Sequence, residues 1–339
     1  MKQNFHYIHC LRVIATLAVV LLHTSTGGVF EEFGQERTFE NLAPMVYKHL
    51  QTWSVPAFLL ISGALFLSPE RVIGYGALFR KYVKRIVLAL LVFGLPMTMG
   101  ETILAGEFAS CLEVVAISVK EWLLGHTWAH MWYLYLLIGL YLMTPVVKPF
   151  FNQASHSEVR TSLAIMFVVC SVLPLLQSCD VENINYLTSI SPYLFIYVLG
   201  YYLQWRLDCT KVRFNTITSV VIFLISLISI ITRVCSGQGN GYGDPACILM
   251  AASLFVFFKQ MNVTSSLAEK LSPYCFGVYL IHPLFINFSY KVLHLTPLNV
   301  LDGISVGATI PLFFFVFAVL SFACAYFLMK IPFLRKHIL

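Results

Sequence analysis

The sequence predicts an all-α, polytopic integral membrane protein with about ten transmembrane helices and both termini in the cytoplasm. Three observations carry that prediction. The 339 residues are 58% hydrophobic and only 11% charged, with a mean hydropathy of +0.79, a balance typical of chains that live in lipid. Ten apolar segments can be marked, at about 8–29, 52–69, 86–105, 130–151, 160–178, 187–205, 214–234, 244–260, 272–293 and 304–329, most of them near the ~20 residues that a spanning helix needs. The charges then sort by side. Alternate connections starting from the N-terminus hold 17 Lys/Arg and 4 Asp/Glu, the opposite ones hold 5 and 12, and the sums are the 22 and 16 of the whole chain. The positive-inside rule puts the first set in the cytoplasm.

The same sorting removes nucleic acid as a partner, because the +6 net charge marks topology rather than a basic binding face. The partner it does imply is the lipid bilayer. The first apolar run lacks a small-residue cleavage site and reads as a retained helix. About nine residues follow the last span, so residues 1–339 are expected to form a single membrane domain with no soluble C-terminal appendage. Nine cysteines occur without C-x-x-C or Cys/His ligand spacing; they read as small apolar helix residues, and no metal site is expected. Cys235 and Cys247 flank one external loop, where the sequence permits a disulfide.

The first segment sets the pattern for the others. It carries Arg12 and His23 inside an otherwise apolar run, and ionisable groups there are costly unless they line a cavity or meet a partner. Eleven steps of about 100° return both side chains to one helix face, roughly 16 Å apart along the axis. Thr24, Ser25 and Thr26 follow, and the external connection 30–51 is acidic, with Glu31, Glu32, Glu36 and Glu40. The second segment contains Pro56 and the Ser62–Gly63 pair, a signature of tight helix packing or of a kink that opens backbone groups to a cavity. The cytoplasmic connection before the third segment ends in Phe79-Arg-Lys-Tyr-Val-Lys-Arg-Ile86. Its four cations, Arg80, Lys81, Lys84 and Arg85, suit a topology signal, anionic lipid or a phosphate-rich ligand. Residues 106–129 read as an external, partly amphipathic connection, with an eleventh span as the alternative. His130, Trp132 and Tyr133 open the fourth segment at the external face, where aromatic side chains belong to the interfacial belt. The ninth segment carries Tyr279 and His282-Pro283, and an intramembrane His beside a Pro is a candidate site residue.

Arg12, ten residues and then His23 resembles the R-x10-H signature of integral-membrane acyltransferase family 3. VPAFLLISGALF (55–66), FRKYVKRI (79–86), HMWYL (130–134) and SPYCFGVYLIH (272–282) follow in that family's order across nearly the whole chain. The wording is closest to the surface-glycan O-acetyltransferases of the enterobacterial common antigen type.

That resemblance implies transfer of an acyl group, most simply acetyl, from cytosolic acetyl-CoA to a hydroxyl of a surface glycan or lipid-linked sugar at the outer face. The bacterial cytoplasmic (inner) membrane would be the location. His23 is then the catalytic residue, acting as a general base or forming an acyl-histidine. Arg12, Arg80, Lys81, Lys84 and Arg85 serve the CoA end, while Ser62, His130, Trp132, Tyr279 and His282 line the channel or acceptor side. A homo-oligomer is compatible with this reading. The alternatives from other classes are a transporter or exporter of a glycan or small polar solute, with His23 and Arg12 lining its path, and a packing subunit of a glycan assembly complex. The visible sequence lacks the internal repeat that usually accompanies alternating access.

Overall fold

A computed structural model describes residues 5–26, 39–106, 110–177, 190–208, 210–300 and 303–339. The acidic stretches around Glu31, Glu32 and Glu36, and around Asp180 and Glu182, lie outside the described residues. All regular elements among the described residues are helical. In chain order they are α1 (His6–Thr24), α2 (Phe39–Leu50), α3 (Ser54–Phe66), α4 (Tyr75–Ala105), α5 (Cys111–Leu124), α6 (Trp132–Gln153), α7 (His156–Leu176), α8 (Pro192–Tyr201), α9 (Val212–Cys235), α10 (Pro245–Gln260), α11 (Ser266–Val292), α12 (Val306–Leu328) and α13 (Pro332–His337).

Seven described helices are long and apolar enough to cross a membrane, namely α1, α4, α6, α7, α9 from Asn215, α11 and α12. The other three expected spans form α3 with 13 residues, α8 with 10 residues running on into a π-helical turn at Tyr202–Arg206, and α10 with 16 residues. These shorter helices are apolar on nearly all sides and largely buried, so protein rather than lipid surrounds them. The stretch 106–129 contains α5, a 14-residue helix capped by the Ser110 hydroxyl, which accepts the Glu113 N–H at 3.2 Å, and ended by left-handed Gly125. Its length is that of an interfacial or packed helix, short of the length a bilayer requires.

The described residues form two compact units, one of 1–69 with 154–325 and one of 70–153 with 326–339. In the first, α3 and α8 cross at glycines. A Cβ at Gly63 would lie 1.7 Å from the Tyr197 carbonyl oxygen, and one at Gly200 would lie 2.1 Å from that of Leu60. Each helix therefore lays its backbone on the other, as small residues allow in membranes. Pro56 falls in the first turn of α3, where its missing N–H costs no helical bond. The Ser62–Gly63 pair thus belongs to a packing contact. Trp205 secures the same crossing by donating its indole N–H to Ala64 O at 2.8 Å.

The cysteines behave as small core residues. Cys10 and Cys275 pack with Val13 and Ala268 in one apolar cluster. The permitted Cys235–Cys247 disulfide does not form: Cys235 is exposed, and Cys247 is buried against the Thr52 hydroxyl at 2.9 Å.

Candidate functional site

Within the first unit, α1 and α11 run side by side in the same direction, and their polar residues meet in successive rungs. His6 Nδ1 lies 2.5 Å from Glu269 Oε1 at the N-terminal end. Arg12 Nη1 donates to Ser272 Oγ at 3.1 Å. Further along, the His23 and His282 rings stand 5.1 Å apart between centroids, tilted by 52°. Beyond them Tyr290 donates its hydroxyl to Thr24 O at 2.7 Å. Arg12 and His23 are eleven residues apart on one helix, Ser272 and His282 ten on the other, so both rungs recur after about three turns, roughly 15–16 Å.

Local chemistry explains how each helix holds its part. At the end of α1 the hydroxyls of Thr24, Ser25 and Thr26 donate back to Val20 O, Leu21 O and His23 O at 2.8, 2.8 and 3.0 Å. Leu21 O and His23 O also accept the backbone N–H groups of Ser25 and Thr26 at 3.1 and 3.3 Å, so this Thr-Ser-Thr run adds a second donor to carbonyls at the helix end close to His23. On α11 a proline does the shaping. Residue 283 would normally donate its N–H to Tyr279 O, and Pro283 has none to give. His282 replaces it: its Nδ1 sits 3.0 Å from both Val278 O and Tyr279 O. The His282 side chain is fully buried, while His23 remains partly accessible. Tyr279 lies at 6.5 Å from His282 between ring centroids.

The structure therefore sets Arg12 beside Ser272 and, about three turns further on, His23 beside His282, with Tyr279 near His282 and Tyr290 on Thr24 O; Ser272 and Tyr290 were not among the expected site residues. Ser62 is half-buried on α3 beside the glycine crossing.

The remaining expected residues belong to the second unit. Arg80 and Lys81 sit in a π-helical turn, Leu78–Val83, and Lys84 and Arg85 in the α-helical turn after it. All four are exposed. Arg85 donates Nε–H to Ile338 O at 2.5 Å and an Nη2–H to Leu339 O. Lys81 lies over the Tyr82 ring at 5.5 Å, and the Arg71 guanidinium lies over the same ring at 5.2 Å while donating to the Tyr82 hydroxyl. Tyr82 in turn meets Tyr141 of α6 at 6.3 Å, and Lys148 of α6 donates to Arg71 O. His130 and Trp132 lie at the opposite end of α6, His130 buried with its ring 6.2 Å from that of Trp128. Sixteen residues of helix separate Trp132 from Lys148, about 24 Å. Each unit thus has a helix with cations towards one end and ring side chains towards the other.

An apolar cavity of about 360 Å³ opens between α7, α8, α9 and α10, lined by Leu163, Phe167, Phe195, Ile248 and Val256 among others. It touches none of the expected site residues. Among the described residues, His, Cys, Asp and Glu side chains do not gather in groups of three or more that could hold a metal ion.

A family model described as an acyltransferase domain matches residues 5–330. The chain matches no curated protein and no solved structure.

Proposed function

The chain belongs to the acyltransferase 3 family, and on that premise we propose that it moves an acetyl group from cytosolic acetyl-CoA to a hydroxyl of a surface glycan or lipid-linked sugar at the outer face of a bacterial cytoplasmic membrane. The observation that carries the proposal is the pair of helices α1 and α11, with Arg12 on Ser272 at one end and His23 beside His282 at the other. A thioester on a long, thin arm needs an anchoring cation and a proton acceptor separated by such a length. Arg80, Lys81, Lys84 and Arg85 are assigned to the CoA phosphates, Arg12 to the arm, and His23 to the chemistry. Ser62, His130, Trp132 and Tyr279 are assigned to the channel and acceptor side.

In this mechanism the acceptor oxygen attacks the thioester carbon while His23 takes the hydroxyl proton. The C–S bond breaks, the C–O bond remains, and the proton passes from His23 to the leaving thiolate. An acyl-histidine is the other route, and a burst of thiol release in the first turnover would identify it.

The parallel course of α1 and α11 supports an even number of crossings from the start of one to the start of the other. Seven strictly alternating spans would make these two helices antiparallel, whereas ten make them the first and ninth and hence parallel. In that topology tags after Gln35 and Glu182 report outside, and tags near Gly74 and at the C-terminus report the cytoplasm. An external signal near Gly74 would reverse the whole scheme.

The test of function is purified protein in lipid nanodiscs with acetyl-CoA and a membrane glycolipid extract. Thiol release coupled to acetylated glycolipid is the expected result. Solute movement across sealed vesicles without thiol release would replace the enzyme with a transporter.

A further inference from the structure

We propose that the apolar cavity between α7, α8, α9 and α10 is a binding site for one anionic phospholipid, with an acyl chain in the cavity and the phosphate on Arg160 at its rim. This goes beyond acyl transfer and uses none of the residues assigned to it.

Two of the helices order their lining residues in the same way. On α7 these are Arg160, Leu163, Ala164 and Phe167, and on α9 they are Asn215, Thr218, Ser219 and Ile222. Both sets step i, i+3, i+4, i+7, which is a single helix face. In each the most polar residue comes first and an apolar one last, seven residues or about 10.5 Å further along. The serine hydroxyls in the wall turn back onto their own helices: Ser219 donates to Thr216 O and Ser253 to Met250 O, both at 2.8 Å. An entering chain therefore meets mostly hydrocarbon. The volume of about 360 Å³ is within the range of ligand cavities, which pair an apolar wall with a few orienting polar groups. One leaflet contributes about 15 Å of hydrocarbon, so the slot takes most of a chain's depth in that leaflet. Ala164 and Leu249 are exposed where it opens.

The rim supplies the charge. Arg160 is exposed at the mouth. Arg206 donates to Ala154 O at 3.1 Å and to the Tyr201 hydroxyl at 3.0 Å, and Asn215 donates its amide to Asp208 O at 2.8 Å. These bonds hold the connection after α8 against the starts of both α7 and α9. The same connection and the first turn of α9 add Lys211 and Arg213, both exposed. The nearby carboxylates are turned onto their own chain. Glu158 accepts the Ser155 N–H at 2.7 Å, and Asp208 accepts the Thr210 N–H and hydroxyl at 2.9 and 2.6 Å. The outward charge is thus positive. It suits a phosphate, which Arg can bind bidentately, and disfavours a headgroup that carries its own ammonium. Basic pockets between membrane helices on the cytoplasmic side hold anionic headgroups in this manner. In the topology proposed above this rim is cytoplasmic, whereas a lipid-linked acceptor presents its sugar at the other face. The occupant is therefore a leaflet lipid and not the acceptor.

The test titrates the full chain in a neutral detergent with dioleoyl phosphatidylglycerol, dioleoyl phosphatidylcholine or glycerol phosphate, and counts what is bound by native mass spectrometry. Acetyl-CoA is absent, so the outcome is separate from that of the acyl-transfer reading. Expected is one phosphatidylglycerol held about tenfold more tightly than phosphatidylcholine, with glycerol phosphate unbound in the same range. Arg160→Ala should weaken phosphatidylglycerol about 3- to 10-fold, the lower end for an exposed charge-assisted contact, and Arg160→Lys by less. Lys270→Ala, which removes an exposed cation of the same unit outside the cavity, should change nothing. Ala164→Phe at the exposed mouth should fill the slot and release lipid of either headgroup. A phosphatidylglycerol with a photoreactive diazirine in its chain should label the cavity walls of the parent and spare those of Ala164→Phe. Equal binding of the two phospholipids, or of glycerol phosphate, would overturn the proposal. So would an Arg160→Ala curve matching that of Lys270→Ala, or a label confined to other helices. A parent dimer that Ala164→Phe dissociates would make the cavity an interface between copies and overturn it as well.

Discussion

The ladder between α1 and α11 and the basic segment at the start of α4 carry the same kinds of residue under opposite physical conditions. In the ladder the polar side chains beyond the exposed His6–Glu269 rung are partly or fully buried and face the neighbouring helix, from Arg12 on Ser272 to Tyr290 on Thr24 O. In the basic segment Arg80, Lys81, Lys84 and Arg85 are exposed. Burial makes geometry decisive: a buried polar group without its partner costs about 1–3 kcal/mol. Exposure makes charge decisive and geometry loose, since water and salt screen each contact. Changes in the ladder should therefore act on turnover, and changes in the basic segment on donor affinity.

The strongest test of that division is His23→Ala. The variant should insert, keep its fold and bind acetyl-CoA, while transfer falls by about 10²–10⁴-fold, the usual contribution of a positioned general base. Thiol release by the purified variant at the parental rate would remove His23 from the chemistry and leave the ladder as packing alone.

Next in size is the packing that surrounds the ladder. Gly200→Ala on α8 would put a Cβ 2.1 Å from Leu60 O, and overfilling of a tight contact costs about 1–3 kcal/mol. Thermal unfolding in nanodiscs should fall by several degrees. Gly139→Ala on α6 of the second unit meets nothing within 4 Å and should leave the midpoint unchanged or slightly raised, because alanine is the better helix former. Equal midpoints for the two variants would mean that the glycine crossing contributes no stability.

A smaller effect separates the cations from one another. Charge-assisted contacts contribute roughly 1.5–3 kcal/mol when fully formed, about 10- to 150-fold in affinity, and exposure pulls this towards the lower end. Arg80→Ala and Lys84→Ala should each weaken acetyl-CoA binding by about 3- to 10-fold, less at high salt, with kcat nearly unchanged. Arg85→Ala should differ, since its guanidinium already holds Ile338 O and Leu339 O; it should loosen that segment as much as it weakens the donor. Donor titration at two salt concentrations reads the difference. Unchanged donor curves for Arg80→Ala and Lys84→Ala, with reduced insertion, would make the cluster a topology signal.

The same contrast decides what the sequence could disclose. Apolar length and charge sorting reveal membrane helices, and the spacing of Arg12 and His23 reveals a shared face, because periodicity is local. The partners of those residues are not local. Ser272, His282 and Tyr290 lie some 260 residues away from Arg12, His23 and Thr24, and only the His282-Pro283 dipeptide signals in sequence that a side chain must replace a backbone donor. The spans at 52–69, 187–205 and 244–260 became short helices because they are packed in protein, and a hydropathy window cannot distinguish that burial from lipid. The π-helical turns at Leu78–Val83 and Tyr202–Arg206 shift side chains off the 3.6-residue wheel, a departure that apolar periodicity does not encode. Arg85 reads as a free phosphate-binding cation until the chain from 338 to 339 is folded against it.

The smallest expected effect concerns a buried histidine outside the ladder. His49, at the end of α2, is buried, accepts the Asn240 backbone N–H on Nδ1 at 3.1 Å, and lies where a Cβ at Gly239 would be only 2.9 Å from its ring. Burial first, and then the nearby charges of Lys48 and Arg233, push its pKa down from 6.5 to about 4. The unfolded chain therefore takes up this proton near pH 6.5, while the folded protein refuses it until about pH 4. The stability contributed by a neutral His49 is complete above the unfolded value and is lost as the pH falls towards 4. Thermal midpoints measured at pH 7.5 and pH 5 should drop with acid in the parent and drop less in His49→Asn, whose amide oxygen can still accept from Asn240. The matched variant in the second unit is His126→Asn, whose exposed ring pairs with Glu121 at 3.1 Å; such surface pairs contribute about 0–1 kcal/mol, and its acid-induced drop should equal that of the parent. At about 2–4 °C for each kcal/mol in a chain of this order of size, the His49 difference is measurable. Identical drops for the parent and both variants would show that burial does not set the acid sensitivity of the first unit.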